Sequence, residues 1–485
     1  MNDIIAFFAF LRYCLGYKGN MSKIVAGMDW QELYSFASKQ ALRGLCFEGI
    51  ERLGKEYPEE LKQNPIGREL LMTWMGKAQQ IRRQNMKVNA VASKLFAMLR
   101  EDGMRCCVLK GQGNALMYPN PYSRTPGDID VWIDASRERI MEYTQKKFEL
   151  GDDIRLQHLE TSLDGVPVEL HFFPCSMNNP IYHTRLQKWF RRNADLQCSH
   201  IVGLPDGAGD IAIPTTAFNV VYQLTHLYHH FFDEGIGMRQ ITDYFLVVND
   251  FSKNVFLDTD FSNHPVNFSN HPVPLSKEGS TFSPSPSQWS LHPLRFPRFR
   301  GTETSGSGDV TAPSRCSEPL RSKDGGPSKV SPDCAGWDRR GVSGDIASDA
   351  SVISAFTTDS SASTALDVVQ RELKYLGLWK FAGAVMYVLH ETLGLPEEKM
   401  IVPVDEKRGR LLLAEILDGG NFGRHFTKYA GFTHQSMGKK YFLKIWRNMH
   451  FVRYYPAEAL CEPIFRTWHF FWRLKHRRPS LGVFS

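Results

Sequence analysis

The chain has 485 residues, 42% of them hydrophobic and 23% charged, with a formal net charge of +6. That balance suits a globular protein of two or three domains, and the charge is too small for this length to imply nucleic-acid binding by itself. No run reaches the ~18 apolar residues that a membrane-spanning helix needs.

In chain order, "IIAFFAFL" follows Asp3 and runs into Arg12. Ile4, Phe7, Phe8, Leu11 and Leu15 fall on one helical stripe, which fits a helix better than the core of a signal peptide. Residues 29–53 and 68–102 also carry apolar side chains at helical spacing, so residues 1–100 read as an N-terminal helical region. The period then changes. "RCCVLK" (105–110), "DIDVWI" (128–133), "IRLQHLE" (154–160) and "VPVELHF" (166–172) are short and strand-like, with a helical pattern at 136–150 and a turn-rich segment at 204–214. Residues 101–213 thus form a small mixed α/β unit.

Helical patterns return at 215–232, 237–250 and 365–395 and continue to the end, which makes 214–250 and 366–485 a C-terminal helical region. Between them, residues 251–365 hold 23 serines and 11 of the 26 prolines. Such a composition buries too little apolar surface to offset the entropy of ordering, so a disordered insertion is expected. Its direct repeat, "FSNHPVN" then "FSNHPV", is too short for a solenoid. The fold class is α+β: a small mixed-sheet core flanked by helical regions. The nine cysteines include no C-x-x-C pair. Adjacent Cys106 and Cys107 in an apolar run suit buried thiols of a reducing compartment, and a cytoplasmic location is expected.

The chemistry centres on Asp128 and Asp130, one residue apart in the predicted strand 128–133. Residues two apart in a strand share a face, about 6–7 Å from one another, while Ile129 and Val131 face the other way. Carboxylates are costly to bury, but a pair can hold a divalent cation, and Mg²⁺ prefers one or two carboxylates with substrate phosphates and water. Glu169 alternates with Val168 and Leu170 in the predicted strand 166–172. Were that strand beside 128–133, three carboxylates would converge, as needed to hold two metals about 4 Å apart.

Upstream, Lys110-Gly111 follows an apolar strand and opens a predicted helix at 111–118. Glycine there lets backbone N–H groups approach a phosphate, and Lys110 adds a point charge. Arg124, in the loop ahead of the aspartates, could reach the same phosphates bidentately. Each piece has a plainer reading: a turn before a solvated strand, a loop lysine, an edge-strand glutamate. Their order along the chain is more specific than any one of them.

Residues 109–172, through "LKG", "YPNPYSRTPGDIDVWI" and "VELHF", resemble the uncharacterised nucleotidyltransferase family of the DNA polymerase β-like superfamily. The resemblance implies Mg²⁺ (or Mn²⁺) on Asp128, Asp130 and Glu169, and an NTP whose phosphates meet Lys110 and Gly111. It continues into "HLYHHFFDEGIGMRQITDYF", where the family carries a His, then an Arg and an Asp four apart: here His226 or His229, Arg239 and Asp243. The Lys-Gly pair stands where the superfamily usually has Gly-Ser or Gly-Gly, and the Gly111–Asp128 gap is long.

His226, His229 and His230 lie at i, i+3 and i+4. Metal-ligand spacing is one reading; a helix face bordering the cleft is the favoured one. Arg239 and Asp243 are an intrahelical pair, or Arg239 faces the substrate and Asp243 holds it. Residues 439–478 have ten Lys or Arg against two Glu, interleaved with aromatics. They suit nucleic acid or an anionic membrane surface, or an amphipathic helix with Trp468, Phe471 and Trp472 packed inward. The expected reaction is transfer of a nucleoside monophosphate from an NTP to an acceptor hydroxyl, releasing pyrophosphate. The acceptor stays open among small molecule, glycan, RNA and protein. The alternatives are a phosphocholine-type transferase acting on a glycan and a non-catalytic nucleotide-binding regulator.

Overall fold

The computed structural model describes residues 3–148, 155–257, 364–426 and 437–476. Of the expected insertion, residues 258–363 lie outside that set. The described chain is α+β, with helices on either side of one four-stranded mixed sheet.

The leading helices are α1 (Asp3–Cys14), α2 (Ser22–Ala26), α3 (Trp30–Lys39), α4 (Arg43–Glu56), α5 (Pro58–Gln63) and α6 (Arg68–Glu101). Phe7, Phe8 and Leu11 are buried as their stripe predicts, and so is Phe10, which lies off it. The single helix expected over 29–53 is two. Ala41 takes φ 57°, and buried Gln40 donates to the Ile416 carbonyl at 3.1 Å and accepts the Met238 amide at 2.8 Å. Tertiary hydrogen bonds fix the break, so the local helical period does not reveal it.

The strands are β1 (Cys106–Leu109), β2 (Ile129–Ile133), β3 (His158–Leu163) and β4 (Val166–His171), in the order β1-β2-β4-β3. β2 and β4 run parallel; β1–β2 and β3–β4 are antiparallel. β2 begins at Ile129, so Asp128 precedes the strand that was expected to contain it. β3 begins four residues later than predicted, because it is paired with β4 through a two-residue turn at Asp164 (φ 50°) and Gly165 (φ 70°). A short helix α7 (Gly111–Ala115) follows β1, and α8 (Arg137–Lys147) follows β2. The turn-rich 204–214 segment contributes a strand, Asp210–Ala212, which pairs with Ile201–Gly203.

Strand alternation gives the sheet two different faces. Val108, Ile129, Val131, Val168 and Leu170 pack against Val88, Val91, Leu95 and Phe96 of α6. Each such buried aliphatic contributes roughly 1.5–3 kcal/mol. The opposite face carries Cys107, Leu109 and Trp132 and meets α9 (Pro180–Ser199) and α10 (Thr216–Asp233). Trp132 stacks on Phe218 with centroids 6.2 Å apart and planes 12° from parallel. Asp130, two residues before Trp132, therefore projects to this second side.

Helix α11 (Met238–Leu257) runs past the expected end at 250. The 365–395 stretch divides into Ala365–Tyr375 and Trp379–Leu393, broken where Gly377 takes φ 73°. Helices Glu406–Gly419, Met437–Met449 and Pro456–His476 follow. On the last of these, Trp468 and Phe471 are exposed, against the inward packing considered for them, whereas Trp472 is partly buried with the Arg137 guanidinium 5.2 Å from its ring. Among the described residues no helix is long and apolar enough to cross a membrane.

Candidate active site

In the parallel β2–β4 pairing, Asp130 sits directly opposite Glu169. Neighbouring strands lie about 4.8 Å apart, so the two carboxylates share one face at close range. His171, two residues beyond Glu169, points the same way. Its Nε2 lies 3.0 Å from Asp130 Oδ1 and 3.2 Å from Glu169 Oε2. From the turn after β1, Lys110 Nζ reaches Asp130 Oδ2 at 3.1 Å and His226 Nε2 at 2.8 Å. Lys110 adopts φ 51° and ψ −128°, a conformation rare outside glycine, and Gly111 follows at φ 37°. Such strain persists only where surrounding structure enforces it. The helix after it, expected over 111–118, is a single turn ending at Ala115, so the charge here comes from the Lys110 side chain.

Asp128 and Asp130 differ sharply. Asp130 is 6% exposed, while Asp128 lies exposed on the cleft wall. Burial would raise the Asp130 carboxyl, but Lys110 and His171 more than offset it and hold Asp130 well below the usual carboxylate range. Asp130's negative charge is the main cause that lifts Asp128 to about 6. Burial would lower His171, yet its bonds to Asp130 and Glu169 raise it to about 9, so it is an imidazolium at neutral pH. Glu169 is raised by burial but brought below its ordinary value by His171. His158, on β3 opposite His171, is lowered to about 3 by burial first and by the His171 charge second. Lys110 and His171 together offset the charge of buried Asp130 and half-buried Glu169.

The loop leading to Asp128 is tied down from two sides. Asn85 of α6 donates to the carbonyls of Tyr122 and Arg124 at 3.1 and 2.8 Å. Arg124 grips Asp243 of α11 bidentately, and Tyr118 donates to the same carboxylate at 2.8 Å. This corrects two expectations. Arg124 has its guanidinium committed to Asp243, and Asp243 holds Arg124 and not Arg239. Arg239 donates to the Thr125 carbonyl at 3.1 Å, lies 5.5 Å from the Phe422 ring, and keeps a buried Nε with no hydrogen-bond partner.

These groups line one cleft of about 930 Å³. Lys110, Gly111, Asp128, Asp130, Glu169 and Arg239 all border it, and Arg124 reaches its edge. His226, His229 and His230 line one wall, with His226 and His230 Nε2 atoms 3.1 Å apart, in keeping with the helix-face reading. Lys39, Phe422 and Lys444 come from distant segments and carried no local signal. His171 did have one, since it alternates onto the face of Glu169 within "VELHF". Among the described residues, the group of three ligand-type side chains whose donor atoms all lie within 4.8 Å is His158, Glu169 and His171.

The mixed sheet thus brings two in-register carboxylates, Asp130 and Glu169, to the wall of one cleft. Residues 26–261 match the model of the uncharacterised nucleotidyltransferase family. That match supports a general nucleotidyl-transfer role for this region. No curated protein matches the chain. Among solved structures, an antigenic nucleotidyltransferase-like protein from Paracoccidioides brasiliensis is similar at 16% identity, covering 33% of this chain and 75% of that one. The TM-score of 0.23 is too low to superpose the two sites.

Proposed function

We propose that the protein transfers a nucleoside monophosphate from an NTP to an acceptor hydroxyl, with Asp128, Asp130 and Glu169 binding Mg²⁺ or Mn²⁺. The observation that carries this is the register of Asp130 against Glu169, with Asp128 at the mouth of the same cleft. The donor set suits a divalent cation: Asp128 is lifted by repulsion from Asp130, and a cation between them would relieve that repulsion. Mg²⁺, when bound, would supply charge neutralisation at the reacting phosphate.

The remaining roles fall to side chains of the chain. Lys110 and Arg239 border the same space and counter triphosphate charge. Arg124 becomes a positioning residue, fixing the Asp128 loop through Asp243. The acceptor hydroxyl oxygen bonds to the α-phosphorus as the bond to the bridging oxygen breaks; its proton passes to solvent, and pyrophosphate leaves. For Asp130 to take a cation, Lys110 and His171 must release it, which frees Lys110 for the phosphates.

The test is incubation with each α-labelled NTP and Mg²⁺ or Mn²⁺, with and without cell extract, beside Asp130→Asn. Metal-dependent label on a glycan, RNA, protein or small-molecule fraction, absent from the mutant, supports the reading and gives the acceptor class. Metal-dependent nucleotide binding without transfer would instead support a non-catalytic regulator.

A further inference from the structure

We propose that His158, Glu169 and His171 form a binding site for one transition-metal ion of the zinc–cobalt class, chemically distinct from the oxygen-bound Mg²⁺ proposed above. The two sites share Glu169, and the inference otherwise stands without the transfer reaction. His158 and His171 are direct partners across the β3–β4 hairpin, with ring centroids 4.9 Å apart. Glu169 precedes His171 by two residues, so its carboxylate enters between the rings. Its Oε2 lies 3.3 Å from His158 Nδ1 and 3.2 Å from His171 Nε2, where the metal would replace the proton that Nε2 now shares with the carboxylates and release it to solvent. Donors bound to a single zinc at about 2.0–2.1 Å with tetrahedral angles are about 3.3–3.4 Å apart; the two spacings to Glu169 match this, and all three donors lie within 4.8 Å of one another.

A second observation points to a ligand independently. His158 is 8% exposed, yet neither ring nitrogen makes a hydrogen bond. Buried polar atoms are rarely left so, and a metal on the Nδ1 lone pair would satisfy it. Glu160 Oε1, held by Arg155 at 2.7 Å, stands 3.7 Å from His158 Nε2, where outer-sphere support for a ligating imidazole belongs. Imidazole nitrogen selects zinc, cobalt, nickel and copper over Mg²⁺, which demands oxygen. Three protein ligands leave one position open, and all three residues border the cleft.

The experiment is a titration of the chelator-stripped full-length protein with Co²⁺, whose visible absorption reports its coordination. One equivalent is expected to bind in a four- or five-coordinate environment, to be displaced by Zn²⁺, and to resist about 100-fold excess Mg²⁺. His158→Ala is expected to weaken binding at least ~10–100-fold, the loss typical even of outer supporting groups. His390→Ala, remote from the trio, serves as the control and should bind as the wild type does. Unchanged affinity in His158→Ala, displacement by equimolar Mg²⁺, or no Co²⁺ binding would overturn the site. If His158→Ala loses its circular dichroism signature, His158→Asn and Glu169→Gln carry the same test. The transfer assay with Asp130→Asn and Mg²⁺ is read separately, so either result can fail without the other.

Discussion

Arg124 and Asp243 meet as a two-armed ion pair inside the protein: Nε to Oδ1 and Nη2 to Oδ2, each at 2.8 Å, with side chains 4% and 7% exposed. The pair fastens the loop before β2 to α11. Removing one partner strands a charge in the interior, which costs about 3–5 kcal/mol. Asp243→Ala is therefore expected to lower the urea unfolding free energy by that amount. The double variant Arg124→Met/Asp243→Leu should recover most of it. A loss below about 1 kcal/mol in Asp243→Ala would show that the pair is not what holds the loop.

Lys110 joins an unfavourable backbone to a useful side chain. Lys110→Gly relieves the conformation, and Lys110→Met keeps it; both remove the Nζ that reaches Asp130. Strain of this kind is worth about 1–3 kcal/mol, less the extra chain entropy of glycine. The glycine variant is expected to unfold at higher urea than the methionine variant, by about 1 kcal/mol. Both should lose triphosphate affinity together. Equal stabilities would mean that the turn stores no strain.

Much of this site was legible because strands impose strict rules. The D-x-D alternation, Glu169 between Val168 and Leu170, and the apolar runs around them needed only a period of two. Other features have no local signature. The partnership of Arg124 with Asp243 spans 119 residues, so the nearer Arg239, at helical spacing, was the natural choice from sequence. Gln40 ends a helix by bonding to residues far along the chain. The start of β3 was recoverable, because Asp164-Gly165 is a strong hairpin signal. Reading it would have placed His158 opposite His171 from sequence.

Glu458 gives a pH signature away from the cleft. It is 1% exposed and accepts the backbone amides of Asn178 and Asn179. Burial first, and then Glu462, push it up to about 7, above the ~4.3 of an unfolded glutamate. The folded chain keeps a proton that the unfolded chain releases. The contribution is thus full below about pH 4.3 and is lost as pH rises through about 7. Relative to Glu458→Gln, the wild type should lose roughly 4 kcal/mol across that window. Parallel stability–pH curves for the two proteins would refute the shift.

The last helices present large apolar side chains to solvent: Phe442 at 71%, Ile464 at 72% and Phe471 at 63% exposure. Surface changes of this kind stay within about 0.5 kcal/mol. The triple substitution Phe442→Ser/Ile464→Ser/Phe471→Ser is expected to leave the thermal midpoint nearly unchanged. A marked fall would mean that these side chains are covered in the working protein.

The parallel junction of β2 and β4 works as a ruler. The spacing of Asp130 from Glu169 is set by the hydrogen-bond ladder and not by the connection between the strands. Residues 134–157 can change in length without moving one carboxylate from the other. A deletion of one residue inside 166–171 has the opposite effect, because a slip of one turns every side chain of a strand over. It would aim Glu169 at Val88 and Phe96 of α6 and leave Val168 facing Asp130. Variation among relatives should therefore accumulate as loop length between the two strands, while β4 admits no insertion.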